Sequence, residues 1–227
     1  MEAISEQPKN NQEKGQKPEV AGNHDNTIVF LIPGILLPEV TMSPLKTYFK
    51  KNGFSNTYTI GLKWSVEKFE RLQEHAVKGI KKQVEEYRKL HNGNNPDNLI
   101  VVGYSNGGKV GAEAIGEIKD QFSKKTPKLI TLSTPAKAGE RTRSLFLRTA
   151  FLLTDSHYHK SFFPSEGWHS ISSPGDKVVH KDRTVADEYG NKPEEVITTG
   201  QNLSHVQMID PRKTGPLLVN LLQRITR

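Results

Sequence analysis

Residues 103–107 place a serine where it could act as a nucleophile. The apolar residues 99–102 predict a short buried strand, and residues 109–122 repeat apolar positions at helical spacing. The G-x-S-x-G pattern between them therefore lies in a strand–turn–helix setting, with Ser105 at its centre. Small flanking residues permit a sharp turn that lifts the hydroxyl above the sheet, at the positive end of a helix. We interpret Ser105 as a candidate nucleophile, and on this pattern alone an ordinary turn stays the alternative.

A serine hydroxyl needs a base, and the base needs a group that orients it. Among eight histidines, His205 lies between the last predicted strand and the last predicted helix, where it could reach over the sheet. Asp176 follows the predicted strand 168–172 and could hold one imidazole nitrogen. The alternatives are a surface histidine and a turn aspartate. The rival carboxylates, which lie farther from a strand end or deeper in a polar loop, are Asp155, Asp182 and Asp187.

A tetrahedral intermediate also needs two hydrogen-bond donors for its oxyanion. One backbone N–H is expected from Asn106, the residue after the nucleophile. The other is expected from the loop after the first strand, where Gly34 allows close approach and Ile35 is the candidate donor. Pro33 has no N–H and cannot serve.

Strands and helices alternate through most of the chain. The predicted strands are residues 27–32, 57–60, 99–102, 128–133, 168–172 and 195–199. The predicted helices are residues 43–51, 65–90, 109–122, 141–153 and 215–227. This alternation predicts an α/β fold with a doubly wound, mostly parallel sheet of about six strands and helices on both faces.

The 227 residues suffice for one domain with a substantial core. Residues 1–26 are polar and predict a disordered tail, residues 27–227 form the domain, and residues 136–167 are expected to be a small cap inserted in it. The chain has no cysteine, no apolar run of membrane-spanning length and no visible signal peptide. These features favour a cytoplasmic protein, or a secreted one if the chain has been trimmed.

The formal net charge is +7, and the positive excess lies outside the tail. No nucleic-acid motif is visible and no Lys/Arg run exceeds two residues, so we expect no nucleic-acid partner. Residues 124–148 hold seven Lys/Arg and one Glu. That segment suits peripheral contact with an anionic membrane surface, and a solvated basic face is the plainer alternative.

Three segments in this order resemble the α/β-hydrolase superfamily, most closely its small bacterial lipases and carboxylesterases. They are residues 103–108 around Ser105, residues 175–179 around Asp176, and Ser204-His205. The resemblance implies a minimal α/β-hydrolase fold, a Ser-His-Asp triad, and neither metal nor organic cofactor. The chain departs from the family in having Pro33-Gly34 where members often have His-Gly.

The segment between the fourth and fifth predicted strands is apolar on several faces, which suits an acyl pocket. Ordinary core packing is the alternative. The residues expected to bind substrate are Leu36, Tyr104, Phe146 and Phe163. We therefore expect a serine hydrolase that cleaves lipid or acyl esters. The alternatives are a thioesterase or other acyl hydrolase, and an inactive hydrolase-fold binding protein. The sequence does not determine the oligomeric state.

Overall fold

A six-stranded parallel sheet lies at the centre of the computed structural model, which describes residues 24–63, 68–118, 122–136, 161–179, 183–187 and 189–227. The strands are β1 (Thr27–Ile32), β2 (Thr57–Thr59), β3 (Asn98–Tyr104), β4 (Lys128–Leu132), β5 (Trp168–Ser172) and β6 (Glu195–Thr198). Their order is β2-β1-β3-β4-β5-β6, and every neighbouring pair is parallel. The predicted fold class is confirmed.

Helices cover both faces of this sheet. In the described part of the chain they are α1 (Ser43–Lys51), α2 (Phe69–Leu90), α3 (Gly107–Ile118) and α4 (Pro211–Thr226), with 3-10 helices at Glu39–Met42 and His205–Ile209. Alternate residues of β1 point to opposite faces: Phe30 packs in the core beneath α2 and α3, and Leu31 in the core beneath α1 and α4. Because both faces are buried, the central strands are continuous apolar runs.

The register brings the carboxyl ends of the strands to one edge, which we call the carboxyl edge. Ile32 pairs with Gly103, and Leu132 lies between Tyr104 and Ile171. The loops that follow β1, β3, β5 and β6 therefore open on the same side of the sheet. Ligand sites of open α/β sheets lie at this edge, because connecting helices leave a crevice there.

Two helices differ from their predicted bounds. The last helix begins at Pro211 instead of residue 215, because the Asp210 side chain accepts the Arg212 N–H at its start and proline suits the first helical position. Helix α3 begins at Gly107, two residues before the predicted start at residue 109. The predicted helix at 141–153 and nearly all of the tail lie outside the described residues, as does most of the predicted cap.

No helix in the described part of the chain combines the length and the apolar character needed to cross a membrane.

Candidate active site

Ser105 occupies a sharp turn between β3 and α3. Its φ is 52°, in the left-handed region that a residue with a Cβ rarely adopts. A Cβ on Gly103 would lie 2.4 Å from the Cα of Gly108, and one on Gly107 would lie 2.5 Å from the carbonyl oxygens of Ile32 and Pro33. Only glycine fits at either flank of the serine, which explains the spacing of the motif.

His205 reaches Ser105 from the loop after β6. Its Nε2 lies 3.0 Å from the Ser105 Oγ, and its Nδ1 lies 2.7 Å from Oδ2 of Asp176. The residue is the first of the 3-10 helix His205–Ile209, whose start is held by a capping box between Ser204 and Gln207. The structure thus brings together three side chains from three separate loops at the carboxyl edge.

Asp176 is buried and holds its charge through specific hydrogen bonds. Its Oδ1 accepts the backbone N–H groups of Val178 and Val179, at 2.8 and 3.0 Å. Burial alone would raise the pKa of the Asp176 carboxyl, but the hydrogen bond and charge of His205 and the Val179 N–H outweigh it and lower that pKa. An ionised Asp176 accepts a hydrogen bond from the Nδ1–H of His205, which leaves the Nε2 lone pair facing the serine hydroxyl.

Ser173 joins the loop of Asp176 to the loop of His205. Its buried hydroxyl oxygen accepts the N–H of Leu203 at 2.8 Å and that of Gly175 at 3.2 Å, and its O–H donates to the carbonyl oxygen of Gln201 at 3.2 Å. One hydroxyl therefore ties the acid loop to the segment that precedes the base.

The loop after β1 lies directly against Ser105. A Cβ on Gly34 would come within 2.8 Å of the Ser105 Cβ, so this loop passes close to the serine. The turn closes with a bond from the Leu37 N–H to the Gly34 carbonyl oxygen, and Leu36 within it has a φ of 59°. Asn106 is buried immediately before α3. Ile35 and Asn106 both lie on segments next to Ser105, and their role as oxyanion donors stays a prediction.

No group of three or more His, Asp or Glu side chains in the described ranges is arranged to hold a metal ion.

The overall fold is similar to solved structures of a lipase-esterase related protein, a pyrethroid hydrolase and a thioesterase. No protein-family model and no curated protein matches the sequence. A lipase-esterase related protein from Clostridium acetobutylicum has a TM-score of 0.62 at 11% identity, over 90% of this chain and 96% of that one. A pyrethroid hydrolase, PytH, has a TM-score of 0.61 at 14% identity, over 88% and 99%. The RedJ thioesterase of prodiginine biosynthesis in Streptomyces coelicolor has a TM-score of 0.56 at 12% identity, over 94% and 90%.

This chain has the α/β-hydrolase fold. At such low identity the likeness establishes the fold alone, because one fold supports many functions. The choice of chemistry therefore rests on the residues at the carboxyl edge.

Two of the residues expected to bind substrate lie in the core of the hydrolase fold. Tyr104 is 1% exposed and packs against His205, with ring centroids 4.9 Å apart. Phe163 is fully buried, and its ring packs against Trp168 at the start of β5, on the edge opposite Ser105. Both side chains are packed in the core, so neither presents a surface to a ligand. Leu36 is 40% exposed in the loop after β1, and Phe146 lies outside the described residues.

The described part of the basic segment also lies away from the site. Lys124 forms an ion pair with Asp97, and the Lys128 ammonium donates to the carbonyl oxygen of Ile225. Both lysines lie at the amino-terminal edge of the sheet, so they form no basic rim around Ser105.

The rival carboxylate Asp187 has a structural role. It accepts the N–H groups of Phe163, Tyr189 and Asn191 as well as the Asn191 side-chain amide. These donors occupy its buried carboxylate. Asp155 and Asp182 lie outside the described residues.

Sequence reasoning missed the bridging role of Ser173. The residue stands three positions before Asp176, directly after β5, and a small polar residue at that point is a common turn former. Nothing in the local sequence indicates that its partners lie about thirty residues away.

Proposed function

We propose that the protein is a serine hydrolase that cleaves carboxylic esters through Ser105, His205 and Asp176. The observation that carries the proposal is the continuous chain of contacts from Ser105 Oγ to His205 Nε2, and from His205 Nδ1 to the buried carboxylate of Asp176. Side chains from three loops converge in the geometry that general-base activation of a hydroxyl requires.

In the proposed reaction, the Ser105 oxygen attacks the ester carbonyl carbon while His205 Nε2 takes the hydroxyl proton. The Asp176 carboxylate holds the imidazole in orientation and stabilises its protonated form. The N–H groups of Ile35 and Asn106 hold the oxyanion. The imidazolium then protonates the leaving alcohol, and an acyl-enzyme remains. Water attacks this ester with His205 again as base, which releases the acid and restores the serine.

The surroundings of Ser105 support an acyl or lipid ester as substrate. Leu36, in the loop after β1, is 40% exposed, and Val206, the residue after His205, is 65% exposed. Exposed apolar side chains on the two loops that adjoin the proposed nucleophile and base favour an apolar acyl chain. A thioester would use the same residues, and one of the structurally similar proteins is a thioesterase. Parallel assays with acyl-CoA and aryl esters of increasing chain length distinguish the two substrate classes.

Labelling with a fluorophosphonate probe tests the proposal directly. We expect the folded wild-type protein to be labelled, and Ser105→Ala to lose the label. Ser55→Ala is the matched control, because Ser55 is exposed and bonds to Asp25 far from the site. If the folded wild-type protein is not labelled, the proposal of a serine hydrolase is wrong, and a binding protein with this fold is favoured instead.

A further inference from the structure

Tyr104 precedes Ser105 in the chain but contacts His205. Its hydroxyl donates to the carbonyl oxygen of His205 at 3.0 Å, and the two rings have centroids 4.9 Å apart with planes inclined at 36°. Alternation along β3 explains this direction. Tyr104 and Val102 both point into the core beneath α1 and α4, where Met208 of the base-bearing 3-10 helix also packs.

This contact restrains a part of His205 that its ring hydrogen bonds do not. Those two bonds join the ring nitrogens to Ser105 and Asp176, whereas the phenol bond holds the backbone of the same residue. The base stands on a five-residue 3-10 helix at the carboxyl edge, and a short helix of this kind has few internal hydrogen bonds. A displacement of about 1 Å in a reacting group can cost about a hundredfold in rate, so the anchoring of this backbone matters.

The phenol keeps its proton throughout the range in which a hydrolase works. Burial, and secondarily the negative charge of Asp176, raise the pKa of Tyr104 far above the ordinary value of a tyrosine. The hydroxyl is therefore a permanent donor to the His205 carbonyl oxygen. The Tyr104 ring also packs against the imidazole ring of His205, which gives the base a second contact with the same residue.

We propose that Tyr104 is a positioning residue for His205, holding the base in line with Ser105 by its hydroxyl and by the packing of its ring. The proposal rests on the proposed function as a serine hydrolase. Two consecutive residues would then serve the site, because Ser105 supplies the nucleophile and Tyr104 holds the base.

The chain contains a matched control for this residue. Tyr87 is also buried, its hydroxyl also donates to a backbone carbonyl oxygen, that of Asp25, and its ring stacks on His91. The Tyr87 contacts lie at the amino-terminal edge of the sheet. Tyr104→Phe and Tyr87→Phe therefore remove the same kind of bond, one at the site and one far from it.

We expect Tyr104→Phe to lower kcat for an aryl ester about three- to tenfold with KM unchanged, and to lower the rate of fluorophosphonate labelling by a similar factor. A loss of this size corresponds to one hydrogen bond. Tyr87→Phe should leave both rates unchanged. Tyr104→Leu removes the ring as well. It should lower the rates further, because His205 then loses the packed ring as well as the hydrogen bond.

A second measurement does not depend on activity. In the Ser105→Ala background, the proton between His205 Nδ1 and Asp176 should exchange with water several-fold faster when Tyr104 is replaced by Phe, as read by proton NMR. Equal rates and equal exchange in Tyr104→Phe and the wild type would overturn the positioning role. Equal losses of rate in Tyr104→Phe and Tyr87→Phe would overturn it as well, because they would indicate a general effect of stability. If the wild-type protein is not labelled, the proposed hydrolase activity is wrong. The exchange measurement would still test whether Tyr104 positions His205, because it does not depend on activity.

Discussion

The hydroxyl oxygen of Ser173 accepts the backbone N–H of Leu203 at 2.8 Å and thereby joins the acid-bearing loop to the base-bearing loop. Asp176 stands three residues after Ser173, and His205 stands two residues after Leu203. The close approach of Gly175 to the backbone of Asn202 reinforces this junction, because a Cβ on Gly175 would lie 2.5 Å from the Asn202 carbonyl carbon. The Ser173–Leu203 bond and the close approach of Gly175 to Asn202 therefore reinforce the 2.7 Å contact between His205 and Asp176, because they join the same two loops.

Ser173→Ala should destabilise the protein and loosen the two loops together. The substitution leaves the buried N–H of Leu203 without its acceptor, which costs about 1–3 kcal/mol in the free energy of unfolding. Denaturant unfolding measures this loss. Ser123→Ala is the control, since it removes an exposed hydroxyl that bonds to Lys125 and should change stability by less than about 0.5 kcal/mol. A similar small effect for Ser173→Ala would show that the hydroxyl does not hold the loops.

Asp176→Asn should reduce turnover by about a thousandfold to ten-thousandfold with the fold preserved. The N–H groups of Val178 and Val179 require an acceptor at the Oδ1 position, so the amide NH2 takes the position of Oδ2. There it faces His205 Nδ1 as a donor and forces the imidazole proton onto Nε2, which can no longer accept from Ser105. Ester turnover, with circular dichroism as a check of folding, measures this effect.

Asp97→Asn serves as the control for that substitution. Asp97 pairs with Lys124 at the amino-terminal edge, so its loss should leave turnover unchanged. If Asp176→Asn keeps more than about a tenth of the wild-type turnover, the assigned orienting acid is wrong.

His169 should make the protein less stable as the pH falls from 7 to 5. Burial in β5 lowers the pKa of His169, against the opposing influence of Glu194 and Glu195, whose carboxylates lie 3.7 Å from its ring nitrogens. The unfolded chain then binds the proton more readily than the folded one. The stability due to neutral His169 is complete above the unfolded pKa of about 6.5 and is lost as the pH falls below it. The charges of Lys128 and Arg224 nearby act in the same direction as burial.

Unfolding free energies at several pH values test this expectation. His169→Gln cannot titrate, so its stability should vary less between pH 7 and 5 than that of the wild type. Parallel pH dependences for the two proteins would show that His169 does not control this range.

Leu36→Gly should relieve backbone strain in the loop after β1. A left-handed conformation costs an ordinary residue about 1–2 kcal/mol, whereas the added chain freedom of glycine costs about 0.5–1 kcal/mol. The net result should be a modest gain in the free energy of unfolding. Asn92→Gly is the matched control, because Asn92 has a φ of 55° but asparagine tolerates this region, so its gain should be smaller. Equal gains at the two positions would show that Leu36 carries no special strain.

The same substitution removes an exposed apolar side chain from the loop after β1. If Leu36 contacts the acyl chain, KM for long-chain esters should rise in Leu36→Gly more than KM for short-chain esters. A uniform change across chain lengths would exclude this contact.

Local signals were sufficient to predict the layers of the fold and the residues that converge. The bounds of β1 and β5 agree with the predicted strands, because a strand buried on both faces must be apolar and must end at a turn. Parallel strands place all their carboxyl ends on one edge, so the positions of Ser105, Asp176 and His205 after three strands already indicated that they would meet. Chain order and periodicity are local properties, and the sequence carries them directly.

Only the tertiary structure decided which residues pack against the side chains that surround Ser105, Asp176 and His205. Tyr104 and Phe163 were candidate pocket residues in the sequence, yet one packs against His205 and the other against Trp168. Nothing in the sequence indicated that Ser173 would bond to Leu203 thirty residues later. An apolar or small polar residue satisfies many environments equally well, and the one it occupies depends on which distant segment packs against it. The sequence by itself therefore determined the fold and the three converging residues, whereas tertiary packing decided what holds them in place.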